Sequence, residues 1–280
     1  MDLATDRMST QTHAEPRTSR LALNLATILV LWRRDMVRFF RQRSRVVGAF
    51  TQPMIFWLIN GGGLSGTFSV ASAGQLGYQE YFFPGIIMMV VLFTSIFSTM
   101  SVIEDRHAGF LQAVLIAPSS RTAVVLGKTL GGVSVALIQA ALFLTMLTFA
   151  NYQPARVNWP LVATFLLLTS VALTSLGFAI AWWLDSTQGY HAVMSVFLIP
   201  MWVLSGAMFP PEKSTRWLSV IMHANPVTYG VEGLRRALYG GALPVGVGIA
   251  GSSAALELAV VAIFAAACLA AAGWVCTRRA

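Results

Sequence analysis

The side chains able to do chemistry are few in this sequence, and their densest group lies at 104–106. Glu104, Asp105 and Arg106 are consecutive and open an amphipathic stretch that stops at Pro118. Carboxylates and a guanidinium grouped in this way form ion pairs with opposite charges on another surface. The sequence offers no serine–histidine–aspartate set, no catalytic carboxylate pair and no metal-ligand spacing among its scattered histidines. We therefore predict a contact site, with no catalytic residue and no metal centre.

A second group of residues imitates a nucleotide-binding loop. Gly127-Lys128-Thr129 ends like a phosphate-binding loop, but that motif needs a glycine at position 122, where Thr122 stands. The flanking residues are apolar rather than glycine-rich. The two cysteines, Cys268 and Cys276, both lie in the last apolar segment and offer no disulfide framework. We therefore expect no nucleotide site and no cofactor in this chain.

The composition indicates a membrane protein. Of the 280 residues, 56% are hydrophobic and only 11% are charged, whereas a soluble domain carries about 25% charged residues. The net charge of +8 could suggest nucleic acid, but nine of the 19 basic residues precede position 46 and most others flank apolar runs. Basic flanks of this kind fit anionic lipid headgroups and the positive-inside bias. We therefore exclude nucleic acid and expect membrane lipids as neighbours.

Charge-free apolar runs define an all-α integral membrane domain over residues 46–276. A helix needs about 20 apolar residues to cross a bilayer, and the sequence contains six such runs. A polar stretch over 1–20 precedes them and is expected to be a disordered cytosolic tail. The predicted spans are 46–64, 84–103, 124–149, 159–183, 191–209 and 252–275.

The distribution of basic residues predicts the orientation. With the N-terminus in the cytosol, the cytosolic segments hold 14 Lys and Arg residues and the external segments hold five. The positive-inside rule therefore places the N-terminus inside, and an even number of spans returns the C-terminus to the same side. The expected location is a cytoplasmic (inner) membrane of the bacterial type.

Two amphipathic elements are expected on the cytosolic side. Residues 21–45 show apolar side chains at helical spacing, with Arg34, Arg38 and Arg41 on a second face, which is typical of an interfacial helix. Its role is either topological anchoring or contact with a cytosolic partner. The amphipathic helix at 104–116 is either a surface connection or a partner contact, and its acidic pair favours the latter.

The external segment 210–243 predicts two short helices that are too short to span. Asn225 is placed to cap the second helix and Pro226 to begin it, and Gly240-Gly241 to end it. Aromatic residues including Tyr229 suit an interfacial depth, so we expect a re-entrant or surface hairpin before span 6. Glu257 is the acid well inside an apolar run; it is either functional or paired with Arg235 or Arg236.

Four stretches in order resemble the membrane subunit of ABC-2 type ATP-binding-cassette exporters. The resemblance covers nearly all of residues 25–276, on a six-span frame. The matching stretches are YFFPGIIMM (81–89), EDRHAGFLQAVLIAPSSRTAVVLGKTLGG (104–132), LSGAMFP (204–210) and NPVTYGVEGLRRALYG (225–240).

The resemblance implies a permease subunit that has no enzymatic activity of its own. Members of the family work as dimers, homomeric or heteromeric, above cytosolic ABC ATPase subunits that bind ATP and magnesium. They export drugs, lipids, polysaccharides or lipid-linked glycans. Substrate contacts are expected from spans 1, 2 and 5, whose apolar faces suit an amphipathic or lipid-like cargo.

The resemblance also assigns roles to particular segments. The loop between spans 2 and 3 looks like the coupling helix that docks into the ATPase, helix 21–45 like the interfacial connecting helix, and 210–243 like the external re-entrant helices. The residues so implicated in coupling are Glu104, Asp105, Arg106, Gly109, Phe110 and Arg121. Those of the external helices are Asn225, Pro226, Tyr229, Glu232 and Arg235.

Two other classes of function stay open on the residues alone. A secondary transporter driven by protons or ions would need buried acids in several spans, and Glu257 is a single candidate. An integral-membrane enzyme acting on lipids would need polar catalytic residues that converge at one depth.

Overall fold

The computed structural model describes residues 20–64, 77–211, 214–241, 243, 247–249 and 251–278, and over these residues the chain is helical with no β-strand. The tail expected at 1–20 lies outside the described residues except for Arg20. The α-helices are α1 (Arg20–Arg41), α2 (Arg43–Leu64), α3 (Tyr78–Ser98), α4 (Met100–His107), α5 (Phe110–Ile116), α6 (Arg121–Leu144), α7 (Trp159–Trp183), α8 (Thr187–Trp202), α9 (Arg216–Ala224), α10 (Pro226–Leu238) and α11 (Ala254–Arg278).

Five helical runs among the described residues are long and apolar enough to cross a membrane. Each overlaps one of the predicted spans, from the second to the sixth, and α7 coincides with the span predicted at 159–183. The runs are Tyr78–His107, Arg121–Leu144, Trp159–Trp183, Thr187–Ala207 and Ala254–Arg278.

The first predicted span, 46–64, lies within α2, which is not among the five. Gln52, Asn60 and three consecutive glycines lower the hydropathy of α2. The helix nevertheless packs along α3, where Trp57 is buried and its indole nitrogen donates to the carbonyl of Gln79 at 3.1 Å. Six spans therefore stay a prediction.

Several helix boundaries differ from the expected ones; the run that contains the second predicted span, for example, begins at Tyr78 rather than at residue 84. The interfacial helix ends at Arg41 rather than at residue 45. Gln42 is not helical, and the next helix, α2, begins at Arg43. The helix of the third predicted span ends at Leu144 rather than at residue 149. The chain then forms a short 3-10 helix at Leu147–Ala150 before it turns through Asn151, which has a φ of 63°.

The single amphipathic helix expected over 104–116 is instead two helices, α4 and α5. Gly109 lies between them with a φ of 72°, in the left-handed region that glycine adopts without strain. The left-handed residue ends the long helical run at His107, so α4 continues α3 whereas α5 is a separate short helix.

Small residues let the central helices approach closely. Gly85 on α3 faces the segment after α8, where an added Cβ would lie 2.7 Å from the Cβ of Ala207. Gly132 on α6 faces Ser98 and Thr174, and Gly233 on α10 faces the ring of Phe165. Contacts between glycine and a neighbouring helix are the usual way in which membrane helices pack.

Candidate functional site

Three helices bring six charged side chains together at one end of the bundle. Residues Arg34, Asp35 and Arg38 come from α1, Glu104 and Asp105 from α4, and Lys128 from α6, and we call this set the charged junction. The set is balanced, with three basic and three acidic residues. It forms because α1 packs along α6, and α4, which continues α3, places Glu104 and Asp105 within reach of both helices.

Lys128 is at the centre of the junction, with only 2% of its side chain exposed. Its ammonium donates to Asp105 Oδ2 at 2.6 Å, to Asp35 Oδ1 at 2.9 Å and to the hydroxyl of Ser101 at 3.2 Å. These three acceptors match the three donors of an ammonium group. Lys128, the lysine of the apparent phosphate-binding loop, therefore donates all three of its hydrogen bonds to side chains of this chain.

Asp105 is completely buried and joins α4 to both neighbouring helices. Besides Lys128, its carboxylate lies 2.8 Å from Nη2 of Arg34 and 3.5 Å from Nη1 of Arg38. Arg38 also pairs with Glu104 at 3.1 Å. Buried ions are tolerated when they are paired in this way. Removing one partner leaves the others without a counter-charge and lowers the free energy of unfolding by about 3–5 kcal/mol.

Phe110 extends the junction into α5. Its ring lies beneath the guanidinium of Arg34, 3.6 Å from ring centroid to Cζ, which is a favourable cation–π geometry. Arg34 thus contacts both short helices, on either side of the bend at Gly109.

Burial raises the pKa of the Asp35 carboxyl above its ordinary value, and the nearby Lys128 ammonium offsets this only in part. Desolvation disfavours the charged carboxylate, whereas an adjacent cation favours it. The ion pair with Lys128 therefore does not fully compensate the cost of placing Asp35 in the junction.

Arg106 and Arg121 tie the same region to two further helices. Arg106 donates to Asp185 at 2.7 Å and to the carbonyl of Trp182 at 3.0 Å, at the end of α7. Arg121 donates to the carbonyls of Cys276 and Thr277, each at 3.2 Å, at the end of α11. A cation at a helix C-terminus is stabilised by the unpaired carbonyls and the helix dipole. The α4–α6 region is thus held by three other helices, α1, α7 and α11.

The outer surface of α5 remains exposed. Ile116 is 86% exposed, and Gln112, Ala113 and Pro118 beside it are exposed as well. Of the six residues predicted for coupling, Gly109 is exposed, whereas Asp105 is buried and Glu104, Arg106, Phe110 and Arg121 are partly buried. The charged residues at 104–106 and Arg121 contact other parts of this chain, while α5 presents an apolar surface.

A cavity of about 640 Å³ opens beside the charged junction. Its walls come from α1, α2, α3, α4, α6 and α8. The lining combines charged side chains with polar ones and with methionine and phenylalanine side chains. We call it the junction cavity. Residues that line it include Asp35, Arg38, Gln52, Phe93, Thr94, Phe97, Glu104, Gly131, Gln139 and His191.

At the opposite end of the bundle, α10 buries two of the predicted external residues against its own chain. Arg235 is fully buried, donates to the carbonyl of Gly206 at 3.0 Å and lies over the ring of Tyr81 at 4.3 Å. Glu232 accepts from the backbone nitrogen of Ile249 at 3.0 Å. Gly206 has a φ of 74° and lies in a π-helical turn after α8, so its carbonyl points out of the helix and can accept from Arg235.

Glu257 is paired with Arg236, one of the two partners expected from the sequence. The guanidinium contacts both carboxylate oxygens, with Nη2 2.7 Å from Oε1 and Nε 3.0 Å from Oε2. The Ser252 hydroxyl also donates to Glu257, at 2.9 Å. The acid within the apolar run is therefore a structural partner of α10.

The remaining predicted external residues define the ends of α10. Asn225 caps the helix, because its side-chain oxygen accepts from the backbone nitrogen of Val227 at 3.0 Å, and Pro226 is the first helical residue. The hydroxyl of Tyr229 donates to the carbonyl of His223 at 3.0 Å. The helix ends before Gly240 and Gly241, both of which have positive φ.

Two residues of the junction were missed by sequence reasoning, Asp35 and Lys128. Both carried a signal. Lys128 is the one charge between Arg121 and Arg156, and Asp35 is the one acid within a strongly basic helix. Of the predicted interfacial arginines, Arg34 and Arg38 point at α4, while Arg41 is exposed. Among the described residues, no group of histidine, cysteine and acidic side chains could hold a metal ion.

This chain is similar to known proteins over most of its length. The family model described as ABC-2 type transporter matches residues 26–239. The putative transport permease ycf38 of Cyanophora paradoxa is 27% identical over 212 residues, covering 74% of this chain and 72% of the relative. Nodulation protein J of Neorhizobium galegae is 24% identical over 240 residues, covering 81% and 87%. The inner membrane transport permease YadH of Escherichia coli strain K12 is 24% identical over 213 residues, covering 75% and 82%.

Proposed function

The chain belongs to the ABC-2 type transporter family, and we propose that it is the membrane subunit of an exporter driven by ATP hydrolysis in a separate partner. As a transport permease it supplies no enzymatic chemistry. ATP and magnesium are bound by the partner ABC ATPase. A second permease subunit, identical or related, completes the transporter.

In this proposal the chain crosses an inner membrane six times. The helix α2 is the first span, which is supported by its packing along α3 through Trp57. The charged junction faces the cytosol with both termini, because the basic residues concentrate at that end. Helices α9 and α10 form the external re-entrant pair, and the Arg236–Glu257 pair anchors α10 to the last span.

The partner ATPase contacts the exposed surface of α5 around Ile116. Movement of α5 is transmitted through the bend at Gly109 into the charged junction. The observation that carries this proposal is the buried Lys128 ammonium, bonded to Asp35 on α1 and to Asp105 on α4. Since α1, α4 and α6 are joined through one group, they must move together or break a buried ion pair.

The substrate enters from the side of the charged junction, where the junction cavity lies between the first two spans and α8. A lining that combines charged and polar side chains with methionine and phenylalanine side chains suits an amphipathic molecule. Closure of the ATPase dimer would compress this cavity and drive the substrate toward the opposite end.

The experiment that tests the proposal measures ATP hydrolysis by the co-purified ATPase with and without this chain. We expect stimulation by the wild-type chain. Ile116→Asp, which places a charge on the apolar surface of α5, should remove the stimulation. Ile116→Val is the matched control and should keep it. Transport by the chain alone, without ATP, would favour an ion-driven secondary transporter instead.

A further inference from the structure

The helical run Tyr78–His107 is interrupted at Thr99. Helix α3 ends one residue before this position, and α4 begins one residue after it. The backbone nitrogen of Thr99 donates to the carbonyl of Ile96 at 3.0 Å, three residues back rather than the four of an α-helix. The Thr99 hydroxyl oxygen lies 2.6 Å from the same carbonyl oxygen, and a threonine that bonds back to its own helix bends it. The interruption therefore separates α3 from α4, which carries Asp105 of the charged junction.

Tyr190, in the first turn of α8, reaches into this interruption. Its hydroxyl oxygen lies 2.7 Å from that of Thr99 and 3.0 Å from the carbonyl oxygen of Ile96. Each hydroxyl has one hydrogen to donate, so two hydrogen bonds connect these three oxygens. Gly177 on α7 leaves room for both side chains, because an added Cβ would lie 2.7 Å from Thr99 Oγ1 and 3.0 Å from the Tyr190 oxygen. We call Thr99 and Tyr190 the hydroxyl pair.

The hydroxyl pair lies on a path from the charged junction to the junction cavity. On one side α4 is bonded to α1 and α6 through Asp105. On its other side α4 is bonded to the end of α7 through Arg106 and to α8 through Thr99. His191, the residue after Tyr190, lines the junction cavity. A displacement of α4 that keeps the hydroxyl pair bonded would therefore move the α8 wall of the cavity.

Both members of the hydroxyl pair are buried, Tyr190 completely and Thr99 with 3% exposure. Within an apolar bundle no water replaces a hydrogen bond that is broken, so separating the two helices would leave polar groups unsatisfied. Movement of α8 together with α4 avoids this cost. Ring packing alone would not give the same preference, because an apolar contact has no direction and tolerates sliding.

We propose that Thr99 is a hinge in the second span and that Tyr190 is the positioning residue that makes α8 follow α4. The proposal rests on the proposed transport function and adds a step to it. Movement received at α5 passes through the charged junction into α4, and the hydroxyl pair then transmits it to the first turn of α8.

The test measures separately how far α4 and α8 move when the partner ATPase binds ATP. In the assembled transporter, spin labels are placed at His107 on α4 or Phe197 on α8, each with a second label at Ile263 on α11; all three positions are exposed. The two buried cysteines, Cys268 and Cys276, are first replaced by alanine. Labelled subunits are diluted with unlabelled ones, and pulsed electron paramagnetic resonance gives both distances with and without ATP. In the wild type both distances should change.

Two variants each remove one hydroxyl and keep the shape of the side chain, Tyr190→Phe and Thr99→Val. In both, the ratio of shifted to unshifted α8 in the ATP-bound state should fall about fivefold, the value of one hydrogen bond, while α4 shifts as in the wild type. Thr99→Ser keeps the hydroxyl and should keep the wild-type ratio. Tyr229→Phe removes a tyrosine hydrogen bond at the opposite end of the bundle and is the matched control, with both shifts unchanged.

A loss of stability alone would not separate the movement of α8 from that of α4, so the two distances distinguish positioning from damage to the fold. An unchanged α8 shift in both Tyr190→Phe and Thr99→Val would refute the proposal and leave the transport function standing. Equal loss of the α4 and α8 shifts in these variants would refute it too. If α4 does not move in the wild type, the proposed route of coupling fails, and this inference fails with it.

Discussion

Replacing Lys128 by methionine tests the charged junction most severely. The methionine keeps the apolar volume but removes the ammonium that bonds Asp35 and Asp105. Asp105 keeps Arg34 at 2.8 Å, whereas Asp35 loses its bonded cation. We therefore take the lower end of the range for breaking a buried pair, about 3 kcal/mol of folding free energy.

This loss should be visible as a lower melting temperature. For a chain of this size, 1 kcal/mol corresponds to about 2–4 °C, so Lys128→Met should melt about 6–12 °C below the wild type in detergent. The double variant Asp35→Leu/Lys128→Met replaces the pair by apolar groups and should recover most of the difference, since buried pairs exchange with packed apolar groups at little net cost.

Three results would contradict this reasoning. A Lys128→Met protein that melts within about 2 °C of the wild type would show that the ion pairs add little to stability. A double variant that melts as low as the single one would show that Lys128 acts through something other than its pairing with Asp35. If Lys128→Met still stimulates the partner ATPase fully, the junction does not transmit movement from α5, whatever it adds to the stability of the fold, and its role in coupling is refuted.

Three further predictions concern single positions. Burial raises the pKa of Asp35 above 3.8, so the contribution of protonated Asp35 to the free energy of unfolding is present below the unfolded pKa and is lost as pH rises. The melting temperature of the wild type relative to that of Asp35→Asn should therefore fall from about pH 4 upward. A difference between the two proteins that does not change with pH would contradict this. Gly85→Ala should destabilise the protein by about 1–3 kcal/mol through contact with the neighbouring backbone, whereas Gly63→Ala, with open space around it, should be neutral or slightly stabilising in thermal melts. Arg236→Lys cannot reproduce the two-oxygen contact with Glu257, so it should lower the melting temperature, and Arg236→Ala should lower it more; equal melting of all three proteins would contradict the pairing.

The membrane helices were the most predictable part of the fold. A membrane-spanning helix can be predicted from the local sequence, because it satisfies its own backbone hydrogen bonds and needs only a run of apolar side chains. The span at 159–183 therefore agreed with α7 at both ends. The cap at Asn225 was equally local, since the side chain and the nitrogen that it accepts from are two residues apart.

The charged junction could not be predicted, because it depends on how distant helices cross. Periodicity placed Arg34 and Arg38 on one face of α1 but did not show that this face meets Asp105. Lys128 and Asp35 are 93 residues apart, and a single buried pair leaves no repeating pattern in the sequence. The bend at Gly109 was missed for a related reason: glycine in an amphipathic stretch permits a left-handed turn but does not require one.

Site-specific photocrosslinking tests the central claim, that this subunit receives ATP-driven force through α5. A crosslinking amino acid is placed at Ile116, or at Phe149 beyond the opposite end of α6, both of which are exposed. It is then activated in membranes that contain the partner ATPase. We predict that the ATPase is captured at position 116 and that position 149 yields no such product. Capture at 149, or at neither position in an assembled transporter, would contradict the account.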